Sequence, residues 1–149
     1  MPLVTITRLH LRAQRYFPIF TIYSLASALQ ARRSAGFLGG VLANDAERGA
    51  WTMTAWRDEA AMRAFRNRGM HSKAMPRLLK WCDEASFAHW VQSDARLPEP
   101  GEAHRRMRAE GHLSKVSYPS TAHADGVTVS ASAPVIGLRV TPKRTPSPR

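Results

Sequence analysis

The sequence predicts an α+β domain with a four-stranded antiparallel sheet, in the order β-α-β-β-α-α-β. Three observations predict it. Residues 4–11, 51–56 and 86–92 alternate with period two, the pattern of half-buried strands, and the second run also carries threonines and aromatics. Between those runs, apolar residues recur at spacings of three and four, as on one face of a helix. Turn-forming residues mark the joints, at Ser34-Ala35-Gly36, at residues 44–49 and at Gly69.

Residues 4–11 form the first strand, with Val4, Ile6, Arg8 and His10 on one face and Thr5, Thr7, Leu9 and Leu11 on the other. A connector, residues 12–17, leads to a helix. Pro18 stands in its first turn, where a missing N–H costs least. Ile19, Ile22, Tyr23, Ala26 and Leu29 then make an amphipathic stripe that ends near Arg33. Residues 37–43 and 51–56 read as a hairpin across the polar stretch 44–49, with Gly39-Gly40 placed for a bulge or a close approach. Asp58 is the N-cap of the next helix, Ala61, Met62 and Phe65 share one face of it, and Gly69 stops it. A further helix covers residues 72–82, with Ser72 as its cap, Pro76 in its first turns and Met75, Leu78, Leu79 and Cys82 as its buried stripe. Residues 86–92 are the last strand.

After Gln92 the pattern changes. Residues 97–101 read as a linker, residues 102–110 as a short helix and residues 117–126 as loop. From Val127 onward there is no acidic residue, and the chain closes on PKRTPSPR. One domain, residues 1–118, is therefore expected, followed by a basic, disordered tail at 119–149, in which residues 135–140 can still pair as an edge strand.

Composition narrows the function classes. Hydrophobic residues make up 44%, enough for a packed core. No apolar run approaches the length of a transmembrane helix, and the N-terminus lacks a signal-peptide core, so a cytoplasmic protein with no membrane partner is expected. One cysteine forms no intrachain disulfide. The net charge of +11 attracts polyanions, but the basic residues are spread along helices without an aromatic-basic RNA motif, so a nucleic-acid partner is not expected. Metalloprotease, zinc-finger, phosphate-loop and dinucleotide motifs are missing from the sequence.

The order β-α-β-β-α-α-β together with the wording WTMTAWRDEAAMRAF, GMHSKAMP and WCDEASFAHW resembles the ferredoxin-like dimeric α/β-barrel superfamily. More closely, it resembles small bacterial proteins grouped beside the antibiotic-biosynthesis monooxygenases, and more distantly spheroidene monooxygenase. The resemblance covers about residues 3–118. It implies a homodimer whose sheets pack into a barrel, with a pocket between sheet and helices for a small hydrophobic molecule, and either no cofactor or haem. Haem-degrading members use an Asn, a Trp and a His. The first strand here has no Asn, a departure from that set.

His71, at a helix–helix junction, is the leading candidate for chemistry, either as a base near neutral pH or as an axial ligand if haem is bound. A histidine there can equally serve as a hydrogen-bonded joint. His10 shares its strand face with Arg8, and the two can polarise an oxygen if that face lines the pocket. A solvated strand end is the plainer reading. Trp56 is placed as an apolar pocket wall, and Tyr16 and Phe17 as a pocket lip. Tryptophans more often serve as core than as cofactor platforms. Cys82, on an apolar stripe, reads as a buried and inert thiol. The expected function is a monooxygenase-like protein acting on or binding a small hydrophobic molecule. The alternative is a non-catalytic dimeric module that binds a ligand or nucleic acid.

Overall fold

The computed structural model describes residues 1–143. Arg144 and Arg149, which belong to the predicted basic tail, lie outside the described residues. The elements run β1 (Leu3–Leu11), α1 (Phe17–Arg32), β2 (Phe37–Asn44), β3 (Ala50–Trp56), α2 (Glu59–Arg66), α3 (Gly69–Trp81), β4 (Cys82–Val91), α4 (Pro100–Glu110), β5 (His112–Leu113), α5 (Thr121–Ala124) and β6 (Val135–Val140). They form a six-stranded sheet in the order β5-β4-β1-β3-β2-β6, with every pairing antiparallel. The inner four strands, β4-β1-β3-β2, are the predicted sheet with β1 at its centre. The class is α+β and ferredoxin-like, as the pattern predicts.

Register fixes which side chains share a face, because directly opposite residues of antiparallel strands point the same way. Val4 meets Ala55 and Trp90, Ile6 meets Met53 and Ala88, and Arg8 meets Trp51 and Ser86. Thr5 meets Thr54 and His89, and Thr7 meets Thr52 and Phe87. The first set packs with Val41, Ala43, Ala103, Met107 and Val129 into the largest core. The opposite face packs Phe37 and Trp56 against Ala31, Ala61 and Val140. Helices α1, α2 and α3 therefore cover one face. Helix α4 and the segment around Val129 cover the other.

That second cover corrects the tail. Val135–Val140 extends the sheet beside β2, and Val129 and Ser130 are buried. The open edge of β2 is paired by β6, the edge strand that residues 135–140 can form, and Val129 joins Ala103 and Met107 of α4 on an apolar sheet face.

Several helix limits also move. Asp58 caps α2 as predicted, its Oδ1 accepting the Ala61 N–H at 2.8 Å. Gly69 does not stop that helix. It opens α3 at φ +57°, and Asn67 ends α2. Ser72 lies inside α3 and Pro76 is internal. Cys82 begins β4, and its burial pushes the thiol up to about 12, as an inert thiol should be. In α3 it is Ala74 that is buried, while Met75 and Leu79 face outward at 45% and 38% exposure. The periodicity of α1 is inverted in the same way. Ile22, Leu25 and Leu29 are 60%, 47% and 50% exposed, and the inward side carries Ser24, Ser27, Ala28 and Ala31.

Candidate functional site

The two faces of the sheet differ chemically. On the α4 side, Arg8 is 3% exposed in the middle of β1. A charge there needs partners, and the chain supplies two carboxylates. Arg8 Nε donates to Asp45 Oδ2 at 2.7 Å, and Nη1 donates to Glu84 Oε2 at 2.5 Å. Asp45 is held in turn by the Gly49 N–H at 2.8 Å and the Trp51 indole N–H at 2.9 Å. Burial alone would raise the Asp45 carboxyl, but these donors outweigh it and hold the group down at about 2. Burial also works to raise Glu84, yet Arg8 and the Ser120 hydroxyl bring it below its usual range. Gly49 is required at this point, because a Cβ would sit 2.6 Å from Arg8 Nε. His10 Nδ1 and Asp83 Oδ1 lie 2.6 Å apart at the end of this network. His10, Asp83 and Glu84 come within 4.8 Å of one another, but each already has a protein partner, and the Arg8 guanidinium is bound to Glu84 where a cation would enter.

On the other face, the threonines of β1 and β3 remain half-exposed although three helices overlie this side. Thr5 Oγ1 and Thr54 Oγ1 are 2.8 Å apart, and the Trp56 indole N–H donates to Thr54 Oγ1 at 2.9 Å. Leu42 and Phe87 flank this threonine row and are also half-exposed. Opposite it, the α1 face that carries the buried Ala31 also carries Phe20, Ser24, Ser27 and Ala28, all half-exposed. The threonine hydroxyls on this face stay within reach of solvent although the helices overlie them.

His71 stands where the three helices meet. Its backbone N–H donates to Gln30 Oε1 of α1 at 3.1 Å, and its ring packs on Phe65 of α2 with centroids 4.7 Å apart. Phe65 packs on Trp56 at 4.9 Å, and Trp56 on Phe37 at 5.2 Å. Nδ1 lies 3.2 Å from the Arg66 carbonyl. A carbonyl only accepts, so Nδ1 carries the proton and Nε2 keeps its lone pair. Burial lowers the His71 pKa against the raising effect of that carbonyl, and the nearby Arg66 charge lowers it further, so the neutral imidazole is favoured.

The predicted site residues thus fall into three places. Arg8 and His10 lie on the α4 side of the sheet. His71 and Trp56 lie on the helix side, with Trp56 buried at 1% exposure. Tyr16 and Phe17 lie near the far end of α3. There Tyr16 faces Trp81 at 6.4 Å and accepts from Arg12 Nη2 at 2.7 Å, while Phe17 is 61% exposed. Ten residues of helix separate Trp81 from His71, about 15 Å at 1.5 Å per residue. The sheet itself divides the first pair from the second. Sequence reasoning missed the threonine row, although its signal was present in the alternation of β1 and β3. It also missed Asp45 and Glu84, whose signal was an arginine in register with Ile6 on an otherwise apolar strand face.

No family model matches the chain, and no curated protein matches it. Solved structures do. Rv0793 of Mycobacterium tuberculosis superposes with a TM-score of 0.57 at 14% identity, over 63% of this chain and 97% of its own. SnoaB, a cofactor-independent oxygenase of Streptomyces nogalater, gives 0.53 at 15% identity over 66% and 98%. PA3566 of Pseudomonas aeruginosa gives 0.53 at 18% over 62% and 95%. The chain shares the ferredoxin-like α+β fold of these solved structures. Nearly all of each of these neighbours is matched, while about a third of this chain lies outside the match.

Proposed function

We propose that α1 and the threonine row of β1 and β3 bound a cleft that holds a small hydrophobic molecule, and that the protein is a monooxygenase-like enzyme acting on it. The observation that carries this reading is the contrast across one sheet: Val4, Ile6, Met53 and Ala55 are fully buried, while Thr5, Thr7, Thr52 and Thr54 beside them stay half-exposed. Phe87 and Leu42 supply apolar contact, and the threonine hydroxyls can bond a carbonyl or phenol oxygen. His71, neutral with Nε2 free to accept, is the base in this reading, and Trp56 backs the wall through Phe65. Its substrate is a molecule with an activated methylene, whose carbanion supplies the electrons itself. The overall change is CH2 + O2 → C=O + H2O, which balances without an external reductant.

The same Nε2 lone pair is the donor a haem iron would take, and bound haem would supply activation of dioxygen. Absorption spectra of the protein with haem added, for wild type and His71→Ala, separate the two versions. A Soret band lost in the variant supports haem. Oxygen uptake with an anthrone-type substrate that needs His71, and no such band, supports the cofactor-free form. Ligand binding in the cleft without turnover leaves the non-catalytic ligand-binding module.

A homodimer, the assembly expected from the resemblance, enters this reading with a condition. The sheet face that would meet a partner sheet is covered here by Ala103, Met107 and Val129 of the same chain. A dimer must displace that cover or use another surface.

A further inference from the structure

The outer surface of the helix layer is the part of the molecule that neither the fold nor the cleft explains. Helix α1 is about 24 Å long at 1.5 Å per residue. Its outward line is Ile22, Leu25 and Leu29, with Ile19 at its start, all at least 38% exposed. No charged residue interrupts α1 before Arg32. The rim is wholly basic. Arg77 of α3 lies over the Tyr23 ring of α1 at 5.5 Å, so the line Lys73, Arg77 and Lys80 runs beside the apolar one. Sequence positions 1–44 and 60–82 contain no Asp or Glu. At the end of α1, Leu29, Arg32, Arg33 and Lys143 line a recess of about 130 Å³, where three cations adjoin the apolar line. At the other end, Tyr16 and Tyr23 pack around Trp81, aromatics of the kind that settle at a membrane–water boundary.

We propose that this face docks on an anionic lipid surface, with α1 lying flat at the headgroup level and the recess of Arg32, Arg33 and Lys143 taking a lipid phosphate. With its other side packed on the domain, α1 presents only its apolar outward side, and the cations that flank it on α3 and at its end supply the attraction to an anionic lipid surface. A second copy of the chain fits the face poorly, because it would bring Arg32, Lys73, Arg77 and Lys80 against their own kind with no acid on either helix. The expectation of no membrane partner rested on the lack of a spanning segment, and surface docking needs none.

The test is flotation of the full chain with vesicles of phosphatidylcholine, alone or containing about a third phosphatidylglycerol. The wild type is expected to float with the anionic vesicles and not with the neutral ones, and to be released by salt. The triple variant Ile22→Ser, Leu25→Ser, Leu29→Ser is expected to bind about a hundredfold more weakly. Arg32→Gln with Arg33→Gln is expected to weaken binding as well. Should the triple variant misfold, Leu25→Cys carrying an environment-sensitive dye reads the same contact in an otherwise unchanged chain, since Cys82 is buried. A blue shift on anionic vesicles supports docking. The proposal is overturned if anionic vesicles are not bound at low salt, if the serine variant binds as well as wild type, or if the dye does not shift. It is also overturned if the chain self-associates through Leu25 in sedimentation and ignores vesicles.

Discussion

On the α4 side of the sheet, Val4, Ile6, Met53 and Ala55 are buried, and the one charge among them, Arg8, is matched by two carboxylates. On the α1 side, one residue further along the same strands, Thr5, Thr7, Thr52 and Thr54 remain in reach of water. The strands are shared, so strand propensity cannot explain the difference. The covers explain it. Helix α4 brings Ala103 and Met107, both fully buried, onto its face. Helix α1 turns Ile22, Leu25 and Leu29 away and offers Phe20, Ser24, Ser27 and Ala28, and the threonines stay half-exposed beneath it. The first face is closed and the second stays half-exposed, so substitutions on the two should fail in different ways.

The largest effect should come from stripping the closed face. A chain ended after residue 98 loses Ala103, Met107 and Val129 and uncovers Ile6, Trp51 and Met53. It is expected to self-associate, seen as a rise in sedimentation coefficient, because a patch of that size rarely stays exposed. Next comes Arg8→Leu, which leaves Asp45 and Glu84 unpaired. A loss of about 3–5 kcal/mol in urea unfolding is expected, and a loss under about 1 kcal/mol would show that the network contributes little.

Acid tests the same network more gently. The Asp45 carboxyl is held at about 2 in the fold against 3.8 unperturbed, so its contribution is present above pH 4 and is lost as pH falls toward 2. That is about 2 kcal/mol at 1.36 kcal/mol per pH unit, and Asp45→Asn should remove this part of the acid dependence. His71 works in a higher window. Burial lowers its pKa in the fold, so the unfolded chain binds the proton more readily, and stability declines as pH drops below 6.5. His71→Gln should flatten that slope in pH-dependent thermal melts.

The smallest effect on stability belongs to the open face. Thr7→Val and Thr52→Val should change unfolding by no more than about 0.5 kcal/mol, as for other surface changes. If the cleft takes a polar-tipped ligand, the same two substitutions should weaken its binding in titration calorimetry while Met107→Ala, despite a cost of about 2–5 kcal/mol, should not. Binding that follows Met107 rather than the threonines would reverse the assignment of the two faces.

The four central strands were legible because period-two alternation is a local property, and each predicted strand lies within a few residues of its place. The Asp58 cap was legible for the same reason, since it bonds a backbone N–H three residues away. Helix faces were less so. The stripe Ile19, Ile22, Leu29 has the right spacing for a buried side, yet spacing says only that these residues share a side, not which side the sheet takes. Gly69 and Ser72 were read as stop and cap because both are common signals, but Gln30, thirty-nine residues before Gly69, meets the Arg68 carbonyl and the His71 N–H and so starts α3 earlier.

By itself the sequence determined the α+β class, the order of the central elements along the chain and which residues share each strand face, all of which follow from short-range geometry. Tertiary structure alone decided that Arg8 and His10 lie across the sheet from His71 and Trp56. It also decided that Asp45 and Glu84 meet at Arg8, that β6 pairs with β2, and that α4 covers the apolar sheet face. Those outcomes depend on contacts between residues tens of positions apart, 37 for Arg8 with Asp45 and 76 for Arg8 with Glu84, and no local pattern encodes which distant partner fills a face.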